Sequence, residues 1–201
     1  MAAWLDILYN FRWVREGELA RASQSHFGGL EGLMRRHGLR AIVNLRGANS
    51  DLSWWRYERR VCERLGAAHL DAMLDSRKLP TRAMLVRLME AFDAAPRPFL
   101  LKCSGGNDRT GFAAALYLIA RDGWGAREAA LGEFSGRLKR HQRWLKLFVE
   151  FTREETNEGA LGPWIAQSYT PERLAQWLEA RGEADSFEAI FTVPTRSPFQ
   201  L

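Results

Sequence analysis

The chain has 201 residues, 46% of them hydrophobic and 26% charged, which excludes a disordered chain, a coiled coil and a collagen-like repeat. Two cysteines are too few for a disulfide scaffold or a four-cysteine zinc site, and no apolar run reaches the ~18–20 residues of a membrane span. A net charge of +5 favours anionic partners. The 29 basic residues, however, are 25 arginines and 4 lysines, a bias that a GC-rich genome produces unaided. No block of like charges supports a nucleic-acid tail, so no nucleic-acid partner is expected.

The N-terminal ten residues lack a basic segment and carry Asp6 within their apolar stretch, unlike a secretory signal. A cytoplasmic location is expected, where thiols stay reduced. Trp4, Leu5, Leu8 and Tyr9 fall on one face of a short helix expected to pack onto the domain. Two short strands are predicted around Glu16 and Gly17, where Gly17 can supply positive φ in the turn. Ser23 to His26 is expected to cap a helix in which Phe27, Leu30, Leu33 and Met34 recur, stopped by Gly38. Arg40 to Arg46 reads as a buried strand, and Ser53 as the cap of a helix from Trp54 to Leu65. A strand at Ala67 to Asp71 and a loop at Met73 to Leu79 follow.

Pro80 suits the start of the next helix, with Met84, Leu85, Leu88, Met89 and Phe92 as its stripe and Pro96 and Pro98 beyond its end. Phe99 to Lys102 is a strand, Cys103 to Arg109 a glycine-rich turn, and Thr110 to Ala120 an apolar helix. Further helices are predicted at Ala126 to Phe134, His141 to Thr156 and Pro171 to Arg181, with the last dozen residues as a tail. Alternating strands and helices predict an α/β fold with a central, mostly parallel sheet flanked by helices. One domain spans residues 1–201, its core at about 11–150 and a helical C-terminal extension at 151–201.

The chemistry is concentrated in Lys102-Cys103-Ser104-Gly105-Gly106-Asn107-Asp108-Arg109-Thr110-Gly111. A buried strand ends in a cysteine, a loop with two glycines follows, and Arg-Thr opens an apolar helix. Such a loop turns successive amides inward, and the helix adds its positive dipole end. Arg109 supplies a planar fork suited to a phosphoryl group. The same field favours a thiolate at Cys103, within reach of a bound phosphorus, and Thr110 can hydrogen-bond the departing sulfur. This pattern points to nucleophilic catalysis through a phosphocysteine. Ser104, Gly105, Gly106, Asn107, Asp108 and Arg109 are the candidate phosphate-binding residues. Cys62 has Ala68 at the spacing where Cys103 has Arg109, and is expected to be a small buried hydrophobe.

The segment resembles the signature loop of the cysteine-dependent protein tyrosine and dual-specificity phosphatases. Gly17 to Gln24 is similar to an Arg-Ser-x-Gln segment of small bacterial and fungal members, and Gly38 to Arg46 to their following strand, so the likeness covers roughly residues 11–135. The resemblance implies thiolate attack and then hydrolysis by water, with no metal and no cofactor. The substrate it implies is a phosphorylated protein or, alternatively, a phosphoinositide, phospholipid or sugar phosphate. It also implies an aspartate acid on the loop before the preceding helix. Asp75 holds that place, with Asp71 nearer the strand. Asp108, inside the loop, resembles the aspartate of phosphoinositide-phosphatase branches and is the competing acid. Lys102 departs from the histidine usual before the cysteine. A phosphate-binding pseudoenzyme and a sulfur-transferring or arsenate-reducing enzyme stay open as other classes.

Arg46 is expected beside the cradle, in contact with substrate or in a structural hydrogen bond. Arg77 and Lys78 would meet a second anionic group or stay solvated. Arg56, Arg59, Arg60 and Arg64 form a basic helix face expected to be solvated. The four histidines (His26, His37, His69 and His141) share no metal-ligand spacing.

Overall fold

A computed structural model describes residues 4–25, 28–134, 138–156 and 161–192. In chain order it contains α1 (Trp4–Leu8), β1 (Arg12–Arg15), β2 (Leu19–Ala22), α2 (Leu30–His37), β3 (Ala41–Asn44), α3 (Ser53–Leu65), β4 (Ala68–Asp71) and β5 (Lys78–Leu79). There follow α4 (Arg82–Ala94), β6 (Phe99–Lys102), α5 (Asp108–Asp122), α6 (Arg127–Gly132), α7 (Trp144–Glu155), α8 (Leu161–Gln167), α9 (Pro171–Ala180) and β7 (Ala189–Ile190).

The main sheet has the order β1-β2-β6-β3-β4. Its first pair is antiparallel and the rest parallel. Strand β6 lies in the middle because Phe99, Leu100 and Leu101 are apolar toward both faces. On one face Leu100, Ala20, Ala22 and Ile42 meet Leu30, Leu33 and Met34 of α2 and Val61 and Cys62 of α3. On the other, Phe99, Leu101, Ala41 and Val43 meet α4, α5, α7 and α8. The alternation along β6 continues past its end, so Cys103 joins the α5 side while Lys102 is buried toward α3. Helix α5 is buried from Thr110 to Ile119, as a central helix that is apolar all round must be.

The predicted α/β architecture is therefore present, and the parallel strands send their following loops to one edge of the sheet, where α/β folds place their sites. Ala22, Lys102, Asn44 and Asp71 are in register at that edge.

Local differences from the sequence reading have physical causes. Helix α2 begins at Leu30 behind a left-handed Gly29, with no side-chain cap. The segment expected to cap it is held elsewhere: Ser23 N–H donates to Tyr9 O at 2.7 Å and Gln24 N–H to Ser104 O at 3.0 Å. His26 and Phe27 lie outside the described residues. Helix α3 includes Ser53, with Leu52 as its N-cap and no side-chain bond. Helix α8, which the sequence reading did not predict, carries Gly162 and Pro163 near its start, residue types that interrupt a helical pattern. Two-residue strands β5 and β7, paired in parallel, are too short for a periodicity, and they dock part of the expected tail and lend the Met73–Leu79 loop a strand at its end. In α1 only half of the expected face packs: Leu5 and Tyr9 are buried, while Trp4 is 58% exposed. Among the described residues, no helix is long and apolar enough to cross a membrane.

Candidate active site

Residues 103–107 leave the end of β6 and wrap over the start of α5. Cys103 is buried, 3% exposed, at the floor of the wrap, and the Gly106 N–H points at its Sγ from 3.3 Å. The helix N-cap, Asn107, makes no side-chain capping bond, so the first-turn amides of α5 keep their donors for another acceptor.

What turns the loop inside out is a set of donors behind it. Arg21, 1% exposed, directs Nε at Gly106 O (3.3 Å) and Nη2 at Asn107 O (3.1 Å). Asn10 Nδ2 donates to Gly105 O at 3.0 Å and to Asn107 Oδ1 at 2.9 Å. With these carbonyls engaged on the far side, the Gly106 amide is left to point at the sulfur. Arg21 is itself braced by Glu133, 2.6 Å from its Nη1. Burial, and then the charge of Arg12, push the Arg21 guanidinium below its ordinary pKa, against the opposing pull of Glu133 and Cys103.

The two loop glycines are not equivalent. Gly106 has φ +69°, and a Cβ there would lie 2.6 Å from backbone atoms of Ala22 and Ser23, so any side chain would drive the loop off β2. Gly105 has no such constraint, its nearest neighbour being Asn107 Nδ2 at 3.7 Å. The freedom expected of both is needed at one. Gly111 is required for a different reason: a Cβ would come within 2.9 Å of Glu133 O and 3.2 Å of Arg21 Nη1, breaking the brace.

Arg109 is half-buried and its Nη2 donates to Ser104 Oγ at 2.9 Å, so the guanidinium lies back across the loop it closes. Thr110 is fully buried, and its hydroxyl donates to Asn107 O at 3.3 Å. That acceptor is not the sulfur that sequence suggests, so help to a departing thiolate would require the hydroxyl to release Asn107.

Lys102 carries a buried polar cluster beneath the site. Its Nζ lies 2.7 Å from both Glu58 Oε1 and Gln24 Oε1 and 4.3 Å from the Trp54 ring centroid. Burial pushes the ammonium down to about 8 despite Glu58. Glu58 is fully buried. Burial favours its neutral form, but bonds from His69, Lys102 and Gln24 outweigh this and hold its carboxyl below the ordinary value. Arg46 joins from above, donating to Gln24 Oε1 at 2.9 Å and stacking 4.1 Å from the Trp54 centroid. Burial and then Arg109 lower its pKa, while Glu58 and Cys103 oppose this. Cys103 thus has three buried or half-buried cations as charge partners: Arg21, Arg46 and Lys102.

The aspartates are distributed between two roles. Asp71 is tied down by Asn44 Nδ2 (2.7 Å) and Trp55 Nε1 (3.0 Å), the setting of a structural acceptor. Asp75 sits on the loop after β4, its Oδ1 accepting from the amides of Arg77 (2.7 Å) and Lys78 (3.1 Å). Asp108 Oδ2 accepts from Gln142 Nε2 at 3.0 Å, and the same nitrogen lies 3.2 Å from Ser76 Oγ. Gln142 therefore ties the cysteine loop to the residue after Asp75, and Trp144 Nε1 secures Ser76 O at 3.1 Å.

Sequence reasoning missed Asn10, Arg21, Glu58 and Gln142. A buried Glu58 would have been the natural partner for a lysine in a strand, whereas nothing local marks Asn10 or Gln142. Arg77 pairs with Glu188 at 3.2 Å on the surface, with half of its side chain exposed, which accords with the solvated reading of this charge. Cys62 and Cys103 are both free thiols. Burial pushes the Cys62 thiol up to about 12, in keeping with its expected place as an inert core residue.

Residues 62–122 match the model of the tyrosine phosphatase family, a span that holds Asp75, the whole cysteine loop and α5. No curated protein matches the chain in sequence. In structure it is similar to TpbA of P. aeruginosa, with 21% identity over 81% of this chain and 94% of that one, at a TM-score of 0.58. It is similar to the active form of Tk-PTP, with 20% identity over 70% and 96% of the two chains and a TM-score of 0.52. PTPMT1, solved in complex with PI(5)P, shares 16% identity over 73% and 99% of the chains at a TM-score of 0.51. These likenesses establish the fold, and with the family match they bear out the phosphatase resemblance read from residues 102–111.

Proposed function

We propose that this chain, with a tyrosine phosphatase family segment set on that fold, hydrolyses phosphomonoesters through a phosphocysteine on Cys103. The observation that carries the reading is the Gly106 amide aimed at Cys103 Sγ from 3.3 Å. It is a loop donor directed at the nucleophile, as an anion cradle requires.

In the first step the Cys103 sulfur attacks phosphorus, the S–P bond forms and the P–O bond to the leaving group breaks. The amides from Ser104 to Arg109, together with the Arg109 fork, hold the three equatorial oxygens, where charge gathers in the transition state. Asp75 delivers a proton to the leaving oxygen. In the second step Asp75 takes a proton from water, the water oxygen bonds to phosphorus, and the thiolate leaves. Thr110 assists that departure once its hydroxyl turns from Asn107.

A phosphotyrosine, phosphoserine or phosphothreonine side chain is the first substrate class, in line with the family match and with the TpbA variant solved in complex with pTyr. Phosphoinositides and sugar phosphates are the second, favoured by the acidic residue inside the loop and by the PTPMT1 complex with PI(5)P.

Asp108 is the rival acid, and its bond from Gln142 is the observation in its favour. Turnover of an aryl phosphate separates the two. Asp75→Asn is expected to lower kcat by ~10²-fold or more, the scale of a positioned general acid, and to remove the basic limb of the pH profile. Asp108→Asn is expected to cost less than tenfold, roughly what a lost orienting bond is worth. The reverse ranking would move the acid into the loop. Unchanged turnover in Cys103→Ser would end the phosphocysteine reading.

A further inference from the structure

The end of β3 lies between the two loops that the reaction uses. Leu45 N–H donates to Lys102 O at 2.8 Å, continuing the register that sets Asn44 beside Lys102. Arg46 follows, next to the residues that leave β6. On its other side the Arg46 main chain bridges Met73, two residues before Asp75. Its N–H is fixed by Asn44 Oδ1 at 3.1 Å and its carbonyl by Asn49 Nδ2 at 2.8 Å.

The side chain is also held, by partners that carry no charge. Nη1 donates to Gln24 Oε1 at 2.9 Å, and the guanidinium carbon lies 4.1 Å from the Trp54 centroid. Gln24 is 1% exposed, and its own N–H donates to Ser104 O at 3.0 Å. One buried residue therefore joins Arg46 to the cysteine loop with a hydrogen bond at each end. Lys102 shares the Gln24 oxygen but has Glu58 as its counterion, at 2.7 Å. Arg46 pairs with no carboxylate among the described residues. Its Nε and Nη2 bond nothing among those residues, and neither is buried.

A half-buried guanidinium with no counterion is costly to hold, and here two of its nitrogens stay open. Beyond the cost of burial, its charge is repelled by Arg109 and attracted by Glu58 and Cys103. An anion over Cys103, shared by the two guanidinia, replaces that repulsion with two attractions. Resting on the phosphatase reading above, we infer that Arg46 is a second guanidinium of the phosphate cavity, giving Nε and Nη2 to an oxygen of the phosphoryl group bound over Cys103, and that Gln24 positions it. The contact forms as soon as the phosphoryl group binds, so it acts on KM rather than on kcat.

The first test is calorimetry of inorganic phosphate on Cys103→Ser protein. Adding Arg46→Met is expected to weaken phosphate binding by about tenfold, the scale of one charged hydrogen bond. Adding Gln24→Met is expected to weaken it too, and to have no further effect once Arg46 is replaced, because it acts through that side chain. Should Gln24→Met not fold, Trp54→Leu withdraws the other support of the guanidinium and is expected to show the same dependence on Arg46. With Cys103 intact, Arg46→Met is expected to raise KM for an aryl phosphate by about tenfold and leave kcat near that of the parent. A fall in kcat at unchanged KM would make Arg46 a support of the loop and overturn the inference. So would phosphate affinity unchanged in Arg46→Met, equal losses from Gln24→Met with and without Arg46, or a loss confined to substrates with a second phosphate. If the unsubstituted chain lacks aryl phosphate turnover, the phosphatase reading falls while phosphate calorimetry still decides Arg46.

Discussion

Replacing Arg109 with lysine is expected to lower kcat/KM on an aryl phosphate by ~10²-fold or more, the cost of losing a preorganised donor to the transition state. Lysine keeps the charge and loses the fork. A guanidinium can hold Ser104 Oγ with one nitrogen, as it does at 2.9 Å, while presenting others to two phosphoryl oxygens. An ammonium is a point charge on a flexible stem and cannot do both. The fold is expected to be unaffected, because Arg109 is half-buried and Ser104 exposed. Steady-state kinetics beside a circular dichroism melt would read both quantities. Turnover within tenfold of the parent, at an unchanged melting temperature, would remove Arg109 from the transition state.

The largest stability effect is expected at Glu58. Glu58→Leu leaves the Lys102 ammonium buried with Gln24 Oε1 as its remaining close acceptor. Breaking a buried pair from one side costs about 3–5 kcal/mol, which for a chain of this size is a melting shift of roughly 6–20 °C. The double substitution Glu58→Leu with Lys102→Met is expected to recover most of that loss, because a well-packed apolar pair replaces the ion pair without its desolvation.

The pH dependence of the same group has a definite sign. Lys102 is held at about 8 in the fold against about 10.4 in an unfolded chain. Below pH 8 both states carry the proton and the group adds no slope. Between about 8 and 10.4 the unfolded chain binds more protons, so the contribution of Lys102 to stability rises with pH across that window. Urea melts at several alkaline pH values are expected to show this slope in the parent and not in Lys102→Met. A slope that survives the substitution would assign it to another group.

Much of the site was legible because its signal is local. A strand, a cysteine, glycines and Arg-Thr at the head of an apolar helix lie within a dozen residues, and the periodicities of β6 and α5 place them without any long-range contact. The sheet was legible for a similar reason, since its strands are short apolar runs separated by helices with glycine stops. The devices that make the loop work were not. Arg21 lies under the loop from β2, and Asn10 and Gln142 reach it from far along the chain, by hydrogen bonds that no spacing announces. The Lys102 substitution was visible as a departure, but its meaning depended on Glu58, which sits on a helix that reads as merely basic and amphipathic.

The most direct test of the central claim is rapid quenching of the unsubstituted protein with a radiolabelled phosphomonoester, followed by peptide mapping. The account predicts an acid-quenched adduct of one phosphoryl group on the peptide containing Cys103, formed at the rate of the first step and absent in Cys103→Ser. Turnover with no protein-bound label at any time, or label on a peptide lacking Cys103, would contradict it.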